Sequence, residues 1–573
     1  MARKFKNILS LDSKGAMDFF MKSEQYQGFE MPEYFVFDNL LDKIRDVIAD
    51  TPYEECLQDG VLPENLSDVN IDILFNKDGK YAVRPLMLAN PLLYYFLVRE
   101  ICNKESWNTI KELFGKFNVS HITACALPVI RNDKEKFHNS TAVLNWWNAL
   151  EQRSIELSLE YRYMFVTDIT NCYGSINPQA FDWAFSLKRT KLEMKDESNI
   201  AGNIQKYLRA LQQGRNIGIP QGSAIFDFMS EIILGYSDLL LHEAIEKKKI
   251  TEDYEIIRYR DDYRIFCNDK DALEKISYEL QHVLESLNFR MNSKKTKLSE
   301  SIVTDSVKPD KLAYIYNTPI FKRKKDCDFD SFEKYLLYIL MFSRKYPDCG
   351  SIKTMLSDLD ERIERWIDDK LKKKDDMKKW ETVDLGLDSG DKKAVGTSSE
   401  SAAPDKKDKQ SGKNIFDSLK VYGGHYDRDW LPGGNIRAMA AVCTQIALEN
   451  VGCCHYALLV LSRMVNFMTN EKEKWDIIDK VYKKLCKLPN SDYNQLWLQN
   501  ITYQKNKKEG KSPYKLRLCE IVAGNKGVEL WNNKWIKPEL LSTIPINDIV
   551  DGEILKKVTP VITFREMRRY NEI

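Results

Sequence analysis

An α+β fold with an all-α C-terminal domain is predicted by three observations. Strand-like runs of alternating apolar residues occur between about residues 71 and 266. Helical spacing surrounds them, and only helical spacing persists beyond residue 414. Residues 1–70 place Met17, Phe19 and Phe20, then Leu40, Leu41, Ile44 and Ile48, at helical intervals, so an N-terminal helical extension is expected. Residues 71–88 read as a hairpin. Ile71, Ile73 and Phe75 alternate, Lys77-Asp78-Gly79-Lys80 turns, and Tyr81 and Val83 resume the pattern. From Pro91 to about Phe117 the pattern is helical and aromatic. Tyr163-Met164-Phe165-Val166-Thr167-Asp168-Ile169 is an apolar run with one aspartate near its end, as a buried strand would be. A helix is expected next, and Gly218-Ile219-Pro220-Gln221-Gly222-Ser223 opens another. Runs at 254–258 and 263–266 flank Tyr259-Arg260-Asp261-Asp262 as two strands, and a helix is expected near 271–287. Residues 371–413 are dominated by Lys, Asp, Ser and Gly and predict a disordered charged linker. In 414–573, Met439, Val442 and Ile446, then Leu458, Leu461 and Val465, then Trp475, Ile478, Val481 and Leu485 predict consecutive short helices. They suggest an antiparallel array of the helical-repeat kind, although no sequence period stands out.

Bulk properties remove several function classes. The 573 residues suffice for several domains, but the net charge of +1 provides no global basic field, so any nucleic-acid surface must be local. The 12 cysteines contain no C-x-x-C pair, which disfavours zinc and a disulfide framework and fits a reduced, cytoplasmic setting. The six histidines form no metal-like cluster, and His455 beside Cys453-Cys454 reads as a buried helix residue. Polar sequence after Met1-Ala2-Arg3-Lys4-Phe5 argues against a signal peptide. No run of about 18 apolar residues occurs, so no membrane span or membrane partner is expected.

Asp261-Asp262 carries the chemical argument. Alone, an Asp-Asp pair between strands reads as an acidic turn. A divalent cation changes that balance, because carboxylate oxygens are the hard ligands Mg2+ prefers. Asp168 ends its own strand-like run upstream, so carboxylates from separate strands become available to a pair of ions ~3.5–4 Å apart. The backbone carbonyl of Ile169 is a further candidate metal ligand.

The order of these motifs resembles that of reverse transcriptases over roughly residues 70–300. Asp168-Ile169-Thr170-Asn171-Cys172-Tyr173 matches motif A, and Gly218 through Ser223 matches motif B. Tyr259-Arg260-Asp261-Asp262 matches motif C, and Leu287 through Thr296 matches motif D. Lys77 and Arg84-Pro85-Leu86 resemble the fingers motifs. The resemblance implies a right-hand polymerase: fingers and palm over 71–300, a thumb-like helical region over 301–370, the linker, and the α-helical domain over 414–573. It implies RNA-directed or untemplated DNA synthesis from dNTPs with two Mg2+ ions, or Mn2+ in their place. Asp168, Asp261 and Asp262 would be catalytic, and with Ile169 they would hold the metals. Tyr173 would lie under the sugar and exclude a 2′-hydroxyl. Gln221 and Gly222 would contact nucleotide and template, Lys77 and Arg84 the triphosphate, and Lys295 the leaving pyrophosphate. For Lys77 a turn lysine, and for Lys295 a surface lysine, remain open readings.

Two departures from the common pattern stand out. Arg260 replaces a small residue between the tyrosine and the aspartates, which suggests altered template or primer handling. Phe226-Asp227 replaces the Ser-Pro that commonly follows the Gln-Gly loop. A polymerase segment followed by a long helical region resembles the abortive-infection and unknown-group bacterial reverse transcriptases. That likeness implies antiphage defence, assembly into trimers or hexamers, and an RNA template or associated non-coding RNA with a DNA product. A retron-like or domesticated intron-type enzyme copying a dedicated RNA is the alternative, as is a nucleic-acid-binding scaffold with a vestigial site.

Overall fold

Strand alternation decides which residues the sheets bury, and the sheets decide where the aspartates stand. The computed structural model describes residues 6–76, 82–130, 147–187, 199–322, 332–383, 430–431, 434–509, 512–525, 527–556 and 558. β1 (Ile71–Asn76) and β2 (Val83–Leu88) pair antiparallel, with Ile71 opposite Leu88 and Phe75 opposite Arg84. The expected hairpin is therefore present; its turn, with Lys77, lies outside the described residues.

The main sheet has five strands: β3 (Ile122–Ala124), β4 (Tyr163–Asp168), β5 (Tyr254–Tyr259), β6 (Asp262–Cys267) and β7 (Lys297–Ser299). Their order is β3-β5-β6-β4-β7, with β3 parallel to β5 and the other pairs antiparallel. Of the helices α1 (Pro91–Cys102), α2 (Lys104–Phe117), α3 (Ile200–Leu211), α4 (Ala224–Lys247) and α5 (Lys270–Ser286), α4 and α5 pack on this sheet, α2 packs on α4, and α1 packs on α2 and α3. α4 is apolar on nearly every side from Ile225 to Tyr236 and is buried accordingly. At Gly235 a Cβ would come within 2.6 Å of the Phe117 ring, so the α4–α2 approach needs glycine there.

In the described part of the C-terminal region α8 (Ile436–Glu449), α9 (Cys454–Phe467), α10 (Glu471–Leu485) and α11 (Asp492–Glu509) follow one another. They join α6 (Phe332–Lys345) and α7 (Gly350–Val383) in a shared bundle, where Arg463 of α9 grips the buried Asp360 of α7. Minor extended structure accompanies them: a two-stranded ribbon (Trp430–Leu431 with Gly434–Asn435) and single bridges from Ile536 to Leu57 and from Val550 to Phe35. α7 carries helical backbone into the segment expected to be a disordered linker, and residues 384–413 lie outside the described residues.

One apolar core runs from Ile8 to Leu555 and joins the two ends of the chain. Buried polar contacts mark the seam. Asn90, the N-cap of α1, donates to Asn533 Oδ1 at 2.7 Å, and Trp531 Nε1 donates to the Leu88 carbonyl at 3.4 Å. Asp492 accepts from Leu74 N–H of β1 at 3.1 Å. Glu30 faces Lys353 at 3.1 Å and His455 at 2.6 Å; burial opposes its charge, but the Lys353 ammonium first, and then the His455 ring, hold its carboxyl far below the usual range. His455 is buried in its helix, as its sequence context predicts.

Trp531→Ala should therefore destabilise the whole chain and not only its last segment. The expected cost is about 3 kcal/mol or more for emptying a buried indole site, read as a lower denaturant midpoint in a single transition. A midpoint equal to the parent's would show that this seam contributes nothing.

Candidate active site

The two strands that bear aspartates are neighbours, β4 and β6, and their register places Asp168 opposite Asp262. Asp261 and Arg260 form the two-residue turn between β5 and β6, because Tyr259 pairs with Asp262. Arg260 adopts φ +54°, a left-handed position that two-residue hairpins normally give to glycine or asparagine. For an L-residue with a long side chain that costs about 1 kcal/mol, so the turn must be held by other contacts.

Those contacts come from α4. Arg258, wholly buried on β5, binds Asp238 at 2.7–3.0 Å and Glu231 at 3.0–3.1 Å, and also donates to the Arg260 carbonyl at 3.1 Å. Burial works against the Arg258 charge, but the two carboxylates more than offset it and hold its pKa well above the ordinary value. Arg260 itself donates from Nη2 to Asp227 Oδ2 at 2.7 Å. The other oxygen of Asp227 accepts the Tyr173 hydroxyl at 2.6 Å. Sequence reasoning missed Arg258, Glu231 and Asp238. Two acids seven residues apart on an otherwise apolar helix, with an arginine inside a buried strand run, were the available signal.

Motif D returns the chain to β4. Asn292 N–H donates to the Asp168 carbonyl at 2.8 Å, Thr170 N–H donates to the Arg290 carbonyl at 2.8 Å, and Met291 bridges Ile169. Thr296 and Thr167 hydroxyls meet at 2.7 Å. This hairpin-like return brings Lys295 Nζ onto Asp168 Oδ2. Ile169 N–H donates to the Asp261 carbonyl at 3.1 Å, which ties the turn to motif A.

Tyr173 is fixed from its backbone as well, because its carbonyl accepts Ile219 N–H of the glycine-rich loop at 2.9 Å. Gly218 has φ +58°, and a Cβ there would lie 2.9 Å from that same carbonyl. Gly222 has φ +136°, and a Cβ there would lie 2.5 Å from the Met87 carbonyl, so both positions require glycine. Gln221 accepts Met87 N–H of β2 at 2.7 Å through its own carbonyl. Arg84 is exposed further along the same strand and has no described bond to the aspartates. The structure thus brings together Asp168, Ile169, Asp261, Asp262, Tyr173, Arg260 and Lys295, with Gln221 and Gly222 linked through the loop. Arg260, expected to handle template or primer, directs its charge to Asp227.

The electrostatics fit a cation site. Burial first, then the Asp261 charge, pushes the Asp262 carboxyl up to about 6. Burial also raises Asp261, with the Asp168 charge adding to it and a backbone hydrogen bond opposing. Asp168 is 5% exposed, and its Oδ1 is buried without a hydrogen-bond partner among the described residues. For Lys295, burial works against the charge, but the bond to Asp168 and the neighbouring carboxylates raise its pKa. Among the described residues no group of three His, Cys, Asp or Glu side chains is placed so that it could hold a metal ion as it stands. The donor set nevertheless suits a hard cation: mutually repelling carboxylates, one oxygen left unpaired, and an ammonium group already drawn to the same place.

Comparison with known proteins gives a family for part of the chain. Residues 119–324 match the family model described as reverse transcriptase (RNA-dependent DNA polymerase). No curated protein matches the sequence. Among solved structures the chain is similar to apo telomerase from Candida tropicalis, at 14% identity over 78% of this chain and 73% of that chain, with a TM-score of 0.29. It is also similar to telomerase from Candida albicans in complex with a TWJ fragment of telomeric RNA, at 11% identity over 77% and 68%, with a TM-score of 0.26.

The raised pKa of Asp262 has a signed consequence. Its folded value lies above its unfolded one, so its contribution to stability is present below the unfolded value, near 4, and is lost as pH rises through about 6. A bound divalent ion should reverse that loss, because it needs the ionised form. The Mg2+-induced rise in Tm is therefore expected to be larger at about pH 8 than at about pH 5. Melting curves with and without the ion at both pH values check this; an equal rise at both would contradict it.

Proposed function

From an RNA-directed DNA polymerase domain of the reverse transcriptase kind at residues 119–324, we propose that this enzyme adds dNTPs at the Asp168, Asp261 and Asp262 site. The single observation that supports this best is the register of β4 and β6: it opposes Asp168 to Asp262 while the turn sets Asp261 beside both. In this reading 71–300 serve as fingers and palm, and 301–370 as the thumb.

Asp168, Asp261, Asp262 and the Ile169 carbonyl would hold the ions. When bound, two divalent cations would activate the primer 3′-hydroxyl and neutralise the triphosphate. The residues of the chain do the rest. Arg258 and Ile169 hold the turn so that Asp261 does not need to be reoriented. Tyr173, tied at both its carbonyl and its hydroxyl, presents its ring to the sugar and favours dNTP over NTP. Arg84 and Lys77 would meet the triphosphate, Arg84 by a bidentate grip. Lys295 would screen or protonate the leaving pyrophosphate. Gln221 and Gly222 form a tightly apposed backbone wall at which a nucleotide and template can lie. The long helical region after the polymerase segment supports a defence-type enzyme acting against phage, with RNA as template or resident partner.

The test is incorporation of each dNTP, with and without added RNA, by the parent and by the double variant Asp261→Asn plus Asp262→Asn. Loss of both carboxylates should lower the rate at least about a thousandfold, equivalent to some 4 kcal/mol of transition-state stabilisation. Product that requires RNA supports templated synthesis, and product without it supports the untemplated mode. Incorporation by the double variant at the parent's rate would overturn the assignment.

A further inference from the structure

We infer that Asp227 and Arg260 are positioning residues for sugar selection, acting through the hydroxyl of Tyr173; this rests on the reading of Tyr173 as the residue beneath the sugar. Both positions are departures from the motifs around them, and in the structure they are a single unit. Asp227 lies in the first turn of α4 and bonds with both oxygens, one to Tyr173 at 2.6 Å and one to Arg260 at 2.7 Å. The Arg260 guanidinium fixes the orientation of the carboxylate, and the carboxylate keeps the tyrosine ring at a fixed height.

A ring that excludes a 2′-hydroxyl must resist being pushed aside. The backbone bond from Ile219 fixes where Tyr173 begins, but not the rotation of its side chain. Beyond the packing of the ring against the core, the hydroxyl contact to Asp227 restrains the ring's far end, and a hydrogen bond to a charged acceptor is the stronger kind. The Arg260 backbone is held in turn by Arg258, so the restraint extends from the buried α4 acids to the tyrosine ring. Arg260, at the tip beside Asp261, thus couples the hairpin's position to that of Tyr173 without itself touching the sugar.

The experiment measures kcat and KM for a dNTP and for the matching NTP with the full chain, using the ratio of the two kcat/KM values as readout. Tyr173→Ala establishes the gate. Tyr173→Phe keeps the ring and removes only the hydroxyl; Asp227→Asn keeps the shape and removes the charge. Each of these two is expected to lower dNTP preference about tenfold, the weight of one charge-assisted bond, mainly through better NTP use. Their combination should be no worse than either alone, because both break the same link. Arg260→Lys should retain most of the preference, and Arg260→Ala should lose it. Melting curves identify any variant that fails to fold, and Tyr173→Phe, which removes one oxygen, carries the test if Asp227→Asn fails. If Tyr173→Ala relaxes selection while Tyr173→Phe and Asp227→Asn keep the parent ratio, the inference is overturned and the gate stands. If Tyr173→Ala itself leaves the ratio unchanged, the gate reading falls first.

Discussion

The buried guanidinium of Arg258 is the contact on which the site depends. It fastens the aspartate-bearing hairpin to α4 through Asp238 and Glu231, and it holds the Arg260 carbonyl. Such a group is not an efficient source of stability, since desolvating three charges costs nearly as much as their attraction returns. What it provides is geometry. An apolar replacement could pack as well, but it could not fix a left-handed turn at the required angle. The left-handed Arg260 is tolerated because its backbone is held by Arg258 of β5, itself fastened to α4, and its side chain by Asp227 of α4.

The two motif departures that look independent along the chain are one interaction in space. Asp227 stands where the common pattern has no acid, and Arg260 where it has a small residue. Neither departure is comprehensible alone: a lone arginine at the tip would be an unpaired cation beside Asp261, and a lone aspartate at the start of α4 would add a fourth acid to the site. Together they neutralise each other and leave a carboxylate oxygen for Tyr173. The altered pair is therefore compatible with an intact site and gives no support to a vestigial one.

Much of this was legible in the sequence, for reasons that can be named. Strand alternation, with one aspartate ending the first run and a pair between the next two, put Asp168 at a strand end and Asp261-Asp262 at a hairpin, because a period of two leaves little freedom in facing. Glycines at 218 and 222 were legible because a close backbone approach excludes every other residue. The partner of Arg260 was not legible: its bond crosses from a turn to a helix 33 residues earlier, and no local pattern records that distance. The Arg258 cluster escaped for the same reason. The helical continuation past residue 371 was missed because a charged, apolar-poor stretch gives no periodic signal even when its backbone is helical.

The C-terminal region reads along the chain as an appendage, yet its contacts reach the site. Trp531 donates to the carbonyl of Leu88, and the preceding residue, Met87, donates its N–H to Gln221. Asn533 receives the side chain of Asn90, two residues further on. A single strand, β2, thus carries Arg84 toward solvent, braces the glycine-rich loop at Met87, and is latched from behind by residues more than four hundred positions later. Gly28 from the N-terminal extension closes the other side by donating to the Gly222 carbonyl at 2.6 Å. The loop behind Tyr173 is therefore held between the two ends of the chain. Isolating the polymerase segment would remove both supports, so the helical region belongs to the structure of the active site, whatever else it binds.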